Sequence, residues 1–195
     1  MENESLKAKT ERRYAQSRVI KIITLASMFI ALEVVTEYYL SFTMGVAYRV
    51  SLTFLIRAIC GHCIGIVGGA VAAIADLIGG FVFYGGSLNP WLTLVRFLQG
   101  FCAGLFLYRK LTPARIVVSA VVCTLLLNIA GAFARFLYQG TPLNIDLFIP
   151  STIVYSVSTV AEIVIMFALA KTLMPRLRSL LYNAGVWKPD TVSEQ

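Results

Sequence analysis

The chain has 195 residues, of which 58% are hydrophobic and only 14% charged, and its formal net charge is +7. Its mean hydropathy is +0.77. That balance excludes a soluble globular domain, because apolar runs of about 18 or more residues require a bilayer rather than a protein core.

No short apolar segment followed by a small-residue cleavage site opens the chain, so no signal peptide is expected and the first span stays in the protein. Apolar runs predict spans at 19–41, 50–63, 65–84, 91–108, 113–138 and 151–173. The stretch 50–84 can be read as one long rod or as two short helices, and the two readings give opposite topologies. Two helices place Lys7, Lys9, Arg12, Arg13, Arg18, Lys21, Arg109, Lys110, Arg115, Lys171, Arg176, Arg178 and Lys188 on one side, thirteen cations against Arg49 alone. One rod would leave six inside and eight outside. The positive-inside rule therefore selects an all-α bundle of six transmembrane helices with both termini cytoplasmic. The expected organisation is a cytoplasmic N-terminal tail over 1–18, a transmembrane domain over 19–175 and a cytoplasmic C-terminal tail over 176–195. Basic flanks also meet the anionic inner leaflet, so the +7 charge implies no nucleic-acid partner.

Charges inside the spans are the next signal, because each costs about 2.5–3.5 kcal/mol on insertion scales and marks a functional position by default. The first span carries Glu33 and Glu37 on one face, and the second carries Arg57 about two turns below the outer surface. Arg96 in the fourth span and Arg135 at the end of the fifth fall at a similar level, with Arg49 in the first outer loop. Four guanidiniums at one depth suit a cavity for an anionic or zwitterionic solute. Glu162 in the sixth span and Asp76 in the third sit deeper. Asp76 lies within "IVGGAVAAIADLIGGFVF", where Gly65, Gly69 and Ala73 recur every four residues. It is expected to be a structural intramembrane charge, a tie to a neighbouring helix or arginine. Ser27 and Ala31 place a second small-residue pair on the first span, about a quarter turn from the glutamates.

"CGHC", Cys60 to Cys63, has dithiol spacing, and with His62 it could supply three metal ligands. A reducing cytoplasmic side and the absence of a second histidine argue instead for small residues packing at an interhelical turn, so no metal is expected. No G-x-x-x-x-G-K-[ST] loop occurs and no nucleophile–base pair is recognisable, so the chain is read as a non-enzyme with no catalytic cofactor.

The order of motifs from residue 48 to 110 resembles the S components, the substrate-binding membrane subunits of energy-coupling factor (ECF) vitamin transporters, and most closely their folate branch. The motifs are "YRVS", a glycine-rich third span ending in "DLIGG", "PWLTL" and "GFCAGL", followed later by "LLLN" and "YQGTPL". The resemblance implies capture of a vitamin from outside. It also implies partnership with a transmembrane coupling subunit and two cytoplasmic ATPases, which alone would use ATP, in the bacterial cell membrane. Arg49, Arg96 and Asn128 are the substrate-binding candidates it carries; Arg135, Arg57 and Glu162 are added on depth. It gives Ser27 and Ala31 the docking of the coupling subunit. The folate branch has an arginine at the start of its sixth helix that "NIDLFIPSTIV" lacks, so the vitamin stays open between folate and another anionic or heterocyclic B vitamin. The alternatives are a membrane thiol oxidoreductase using Cys60 and Cys63, and a stand-alone secondary transporter.

Overall fold

A computed structural model describes residues 2–39, 41–44, 48–51, 53–83, 89–139 and 145–187. Helix α1 runs over Glu2–Tyr39, strands β1 and β2 over Ser41–Met44 and Tyr48–Ser51, then α2 over Thr53–Ile64 and α3 over Gly68–Phe83. Helices α4 (Pro90–Leu107), α5 (Pro113–Gln139), α6 (Ile145–Thr172) and α7 (Met174–Asn183) complete the chain. Among the described residues, Ala15–Glu37, Thr53–Phe83, Pro90–Leu107 and Pro113–Ala130 are long and apolar enough to cross a membrane. The protein is a helical membrane bundle.

The stretch Thr53–Phe83 folds back on itself. Along α2, Arg57 meets Gln99 and His62 meets Leu107, so α2 runs parallel to α4. Along α3, a methyl group on Gly68 would meet the Gly100 carbonyl, and Asp76 meets Thr93, so α3 runs antiparallel to α4. Two helices of opposite sense make a hairpin, as the charge count requires. The reversal is a 3-10 turn over Gly65–Val67 that starts with Gly65 at φ 68°. Only glycine takes this left-handed conformation routinely. Gly65 thus belongs to the turn rather than to the helix face expected from its spacing, and its backbone packs on Gly104, while Gly68 and Ala72 lie against Gly100 and Gly69 against Phe97 and Phe101.

Helix α2 has 12 residues, about 18 Å of rise, which falls short of a hydrocarbon layer about 30 Å thick. It is sheltered instead, packing against α1, α4 and α6 with all but Ile56 and Ile59 buried. Its expected start at residue 50 is corrected. Residues 48–51 are β2, paired antiparallel with β1 so that Thr43 faces Arg49 and Ser41 faces Ser51.

Local chemistry sets the other boundaries. Helix α4 starts where Asn89 accepts hydrogen bonds from the backbone N–H groups of Trp91 at 3.1 Å and Leu92 at 3.4 Å, with Pro90 in the first turn. The stretch expected as a C-terminal tail is structured as far as Trp187. Helix α7 buries Met174 and Leu181, and Val186 and Trp187 are buried after it. The Trp187 indole N–H donates to the Cys63 carbonyl at 2.9 Å. That carbonyl, at the end of α2, would otherwise lack a helical partner.

Candidate substrate-binding site

Glu33 and Glu37 lie four residues apart on α1 and therefore on one face. Arg57 approaches that face from α2: its Nε donates to Glu33 Oε1, its Nη1 donates to Gln99 Oε1 at 2.8 Å, and its Nη2 lies 3.9 Å from Glu37 Oε2. Gln99 Nε2 in turn donates to the Cys123 carbonyl at 3.1 Å. One chain of bonds thus ties α1, α2, α4 and α5 at a single depth. Arg57 is 2% and Glu33 1% exposed, so this guanidinium is enclosed by protein. Arg57 was expected at the solute; its geometry is that of an internal tie.

Arg96 differs in exposure. Its Nη2 donates to Glu37 Oε1 at 2.7 Å, its Nε lies 3.8 Å from Asp76 Oδ1, and its side chain is 19% exposed. Thr93 Oγ1 holds the other Asp76 oxygen at 2.6 Å. Glu37 therefore faces both arginines, while Asp76 fixes α3 to α4 through Thr93 and Arg96. Arg96 Nη1 makes no hydrogen bond among the described residues, leaving one edge of the planar fork for a further oxygen acceptor.

Helices α5 and α6 contribute a polar seam. Thr124 and Thr159 share a hydrogen bond across the two helices at 2.5 Å, and Asn128 Nδ2 donates to the Thr124 carbonyl at 3.2 Å. Asn128 is 2% exposed, yet its Oδ1 has no hydrogen-bond partner. A buried acceptor without a partner costs about 1–3 kcal/mol, and a guest that donates to it recovers that loss. Glu162, 8% exposed, lies one turn beyond Thr159 on α6. At the start of α4, Trp91 donates its indole N–H to the Ala130 carbonyl at 3.0 Å and lies beside Phe133. The side chains of Arg49 and Arg135 lie outside the described residues, so of the four expected arginines only Arg57 and Arg96 are seen to meet.

Sequence reasoning passed over Gln99, Thr93 and Thr124. Gln99 carried the same signal as Asn128, a lone amide in an apolar span, whereas the threonines hid among β-branched residues.

Ser27 and Ala31 are exposed on α1, along the stripe that holds Ile20, Ile23, Met28 and Val35. Ser27 Oγ bonds to the Ile23 carbonyl at 3.0 Å, so the hydroxyl is satisfied within its own helix and leaves a smooth outward face. Cys60 and Cys63 are each 1% exposed and form a core cluster with Phe29, Val71 and Trp187. Both thiols are free. His62 Nδ1 sits 2.8 Å from the Leu107 carbonyl and its ring meets Trp187 edge-on. These side chains pack the end of α2, with no route for a thiol substrate in the described structure.

No family model matches the chain. A curated relative, the folate transporter FolT of Clostridium novyi (strain NT), is 27% identical over 112 residues. That alignment covers 56% of this chain and spans 64% of the relative's length. Among solved structures, a crystal structure of FolT bound with folic acid superposes with a TM-score of 0.71 at 25% identity, covering 77% of this chain and 93% of that one. In sequence and fold together, the chain is similar to S components of the folate branch, and it is a multi-pass integral protein of the bacterial cell membrane.

Proposed function

We propose that this protein captures folate, or a closely related pterin vitamin, at the outer face of the membrane. In this reading it delivers the vitamin inward when docked on an ECF coupling subunit and two ATPases. The observation that carries the reading is the likeness of the fold to a chain that holds folic acid, matched over 93% of that chain. Arg96 and Asn128 fit the chemistry. The open edge of Arg96 suits a carboxylate of the vitamin's glutamate, and the unpaired Asn128 Oδ1 suits an N–H of the heterocycle. Arg49, Arg135 and Glu162 complete the proposed site, and Arg57 supports it through Glu37.

Both termini face the cytoplasm in this proposal. The transmembrane unit extends from residue 19 through Trp187, because α7 packs against the bundle. The β1–β2 hairpin and the other outer connections close over the solute. The chain itself hydrolyses no ATP, and the exposed Ser27–Ala31 face of α1 is where the coupling subunit docks. The burial of both thiols disfavours the oxidoreductase alternative.

Two measurements test the proposal. Folic acid should raise the thermal unfolding midpoint of the purified chain in the absence of ATP; no protection by folic acid or any other pterin would remove the reading's support. Affinity capture from native membranes should bring down a membrane protein and two ATPases, whereas uptake by the chain alone in vesicles would establish a stand-alone transporter.

A further inference from the structure

The chain after α7 is locked into the cytoplasmic end of the bundle by a set of cations. Helix α7 ends with Gly185 at φ 69° and a hydrogen bond from the Val186 N–H back to the Leu181 carbonyl at 3.0 Å. This left-handed helix stop turns Trp187 inward. From α1, Arg18 Nε donates to the Val186 carbonyl at 3.1 Å, and Lys21 Nζ lies 3.5 Å from where a Gly185 side chain would begin. Arg178 Nη2 donates to the Arg109 carbonyl at 3.0 Å, and the Arg109 guanidinium stacks 5.6 Å from the Trp187 ring.

Two further features point to a ligand. Arg178 Nε is buried and has no hydrogen-bond partner. None of the carboxylates whose side chains are described, Glu33, Glu37, Asp76 and Glu162, forms an ion pair with Arg18, Lys21 or Arg178. In addition, Leu173 at the N-terminal cap of α7 and Leu180 within it, seven residues apart, are 43% and 64% exposed. An apolar edge beside fixed cations is the composition of a helix lying in the membrane interface.

We propose that this corner binds anionic phospholipid of the inner leaflet. Its phosphate headgroup would meet Arg18, Lys21 and Arg178, and its acyl chains would lie along Leu173 and Leu180. The inference rests on the cytoplasmic orientation proposed above but not on the identity of the vitamin. The positive-inside rule asks only for an excess of basic residues on the cytoplasmic side. Here the cations are held in place around a buried tryptophan, which goes beyond that rule.

The experiment incubates the delipidated full-length protein with phosphatidylglycerol or phosphatidylcholine of identical acyl chains, and reads retained lipid by native mass spectrometry and stability by thermal unfolding. Phosphatidylglycerol should be retained preferentially and raise the unfolding midpoint. Arg18→Gln with Lys21→Gln, and separately Arg178→Gln, should each lower its occupancy, by about fivefold per charge removed. An unchanged far-ultraviolet circular dichroism spectrum and a monodisperse elution profile show that these variants are folded. A second arm needs no charge variant: in Trp91→Phe, Trp187 is the only tryptophan left of the two. Its fluorescence should be quenched more by brominated phosphatidylglycerol than by brominated phosphatidylcholine. Equal retention of the two lipids, or equal quenching, overturns the proposal. So does full stabilisation by inorganic phosphate alone, which would mark a soluble-anion site. Charge variants that keep phosphatidylglycerol but lose the coupling subunit would also overturn it, reassigning the patch to protein docking.

Discussion

Replacing Arg57 with methionine probes the tie that holds the upper bundle together. Methionine fills much of the same volume, but it leaves Glu33, 1% exposed, without its cation and Gln99 Oε1 without its donor. Breaking a buried ion pair from one side costs about 3–5 kcal/mol, whereas replacing both partners is often near neutral. The stranded Gln99 acceptor adds about 1–3 kcal/mol where it finds no new donor. Arg57→Met alone should therefore lower the unfolding midpoint in detergent by on the order of 10 °C. Glu33→Gln combined with Arg57→Met should recover more than half of that loss, because a neutral amide at position 33 can bond to Gln99 and no charge is left enclosed. A double-mutant cycle read by thermal unfolding gives the coupling directly. Simple additivity of the two substitutions, or an Arg57→Met protein as stable as the parent, would refute the internal-tie argument and return Arg57 to the solute.

Arg96→Ala should weaken folic acid by roughly 10- to 150-fold, the equivalent of about 1.5–3 kcal/mol for a charge-assisted hydrogen bond. It should leave a pterin without the glutamate carboxylates nearly unaffected; calorimetric titration of both ligands separates carboxylate recognition from general damage. Gly104→Ala places a methyl group against the Gly65 carbonyl and should destabilise the hairpin–α4 contact by about 1–3 kcal/mol, seen as a lower midpoint with folic acid binding retained in the folded fraction. Cys60→Ala with Cys63→Ala should leave vitamin binding and uptake intact, and loss of transport while the protein stays folded would revive the thiol chemistry.

Much of this architecture was legible in the residues because membrane physics writes it in charge. The α2–α3 hairpin follows from where the lysines and arginines fall, before any geometry is known. That Glu33 and Glu37 share one face follows from their four-residue spacing, whereas their pairing with Arg57 and Arg96 did not, because the arginines were expected at the solute. The division of labour between Arg57 and Arg96 was not legible. Both sit in the outer half of short spans, and only the reach of Gln99 from α4 and the enclosure of α2 separate a buried tie from a partly exposed fork. Helix α7 was hidden for a different reason. "MPRLRSLLYN" is too short and too basic to register as a span, and its stability comes from packing Met174 and Leu181 on the bundle and from the Trp187 anchor. The β1–β2 hairpin was concealed by its position beside an apolar run, where "YRVS" reads equally well as the first turn of a helix.

The enclosure of α2 bears on how the protein is made. A segment of 12 residues that carries an arginine is a poor candidate for independent partitioning from the translocon, because its rise of about 18 Å is too short and its charge too costly. It has to enter together with α3 as a helical loop, and its guanidinium finds lasting compensation only once Glu33 on one flank and Gln99 on the other are in place. Integration of this chain is therefore cooperative across its first four membrane segments, and a nascent polypeptide that stops before α4 should leave α2 outside the lipid.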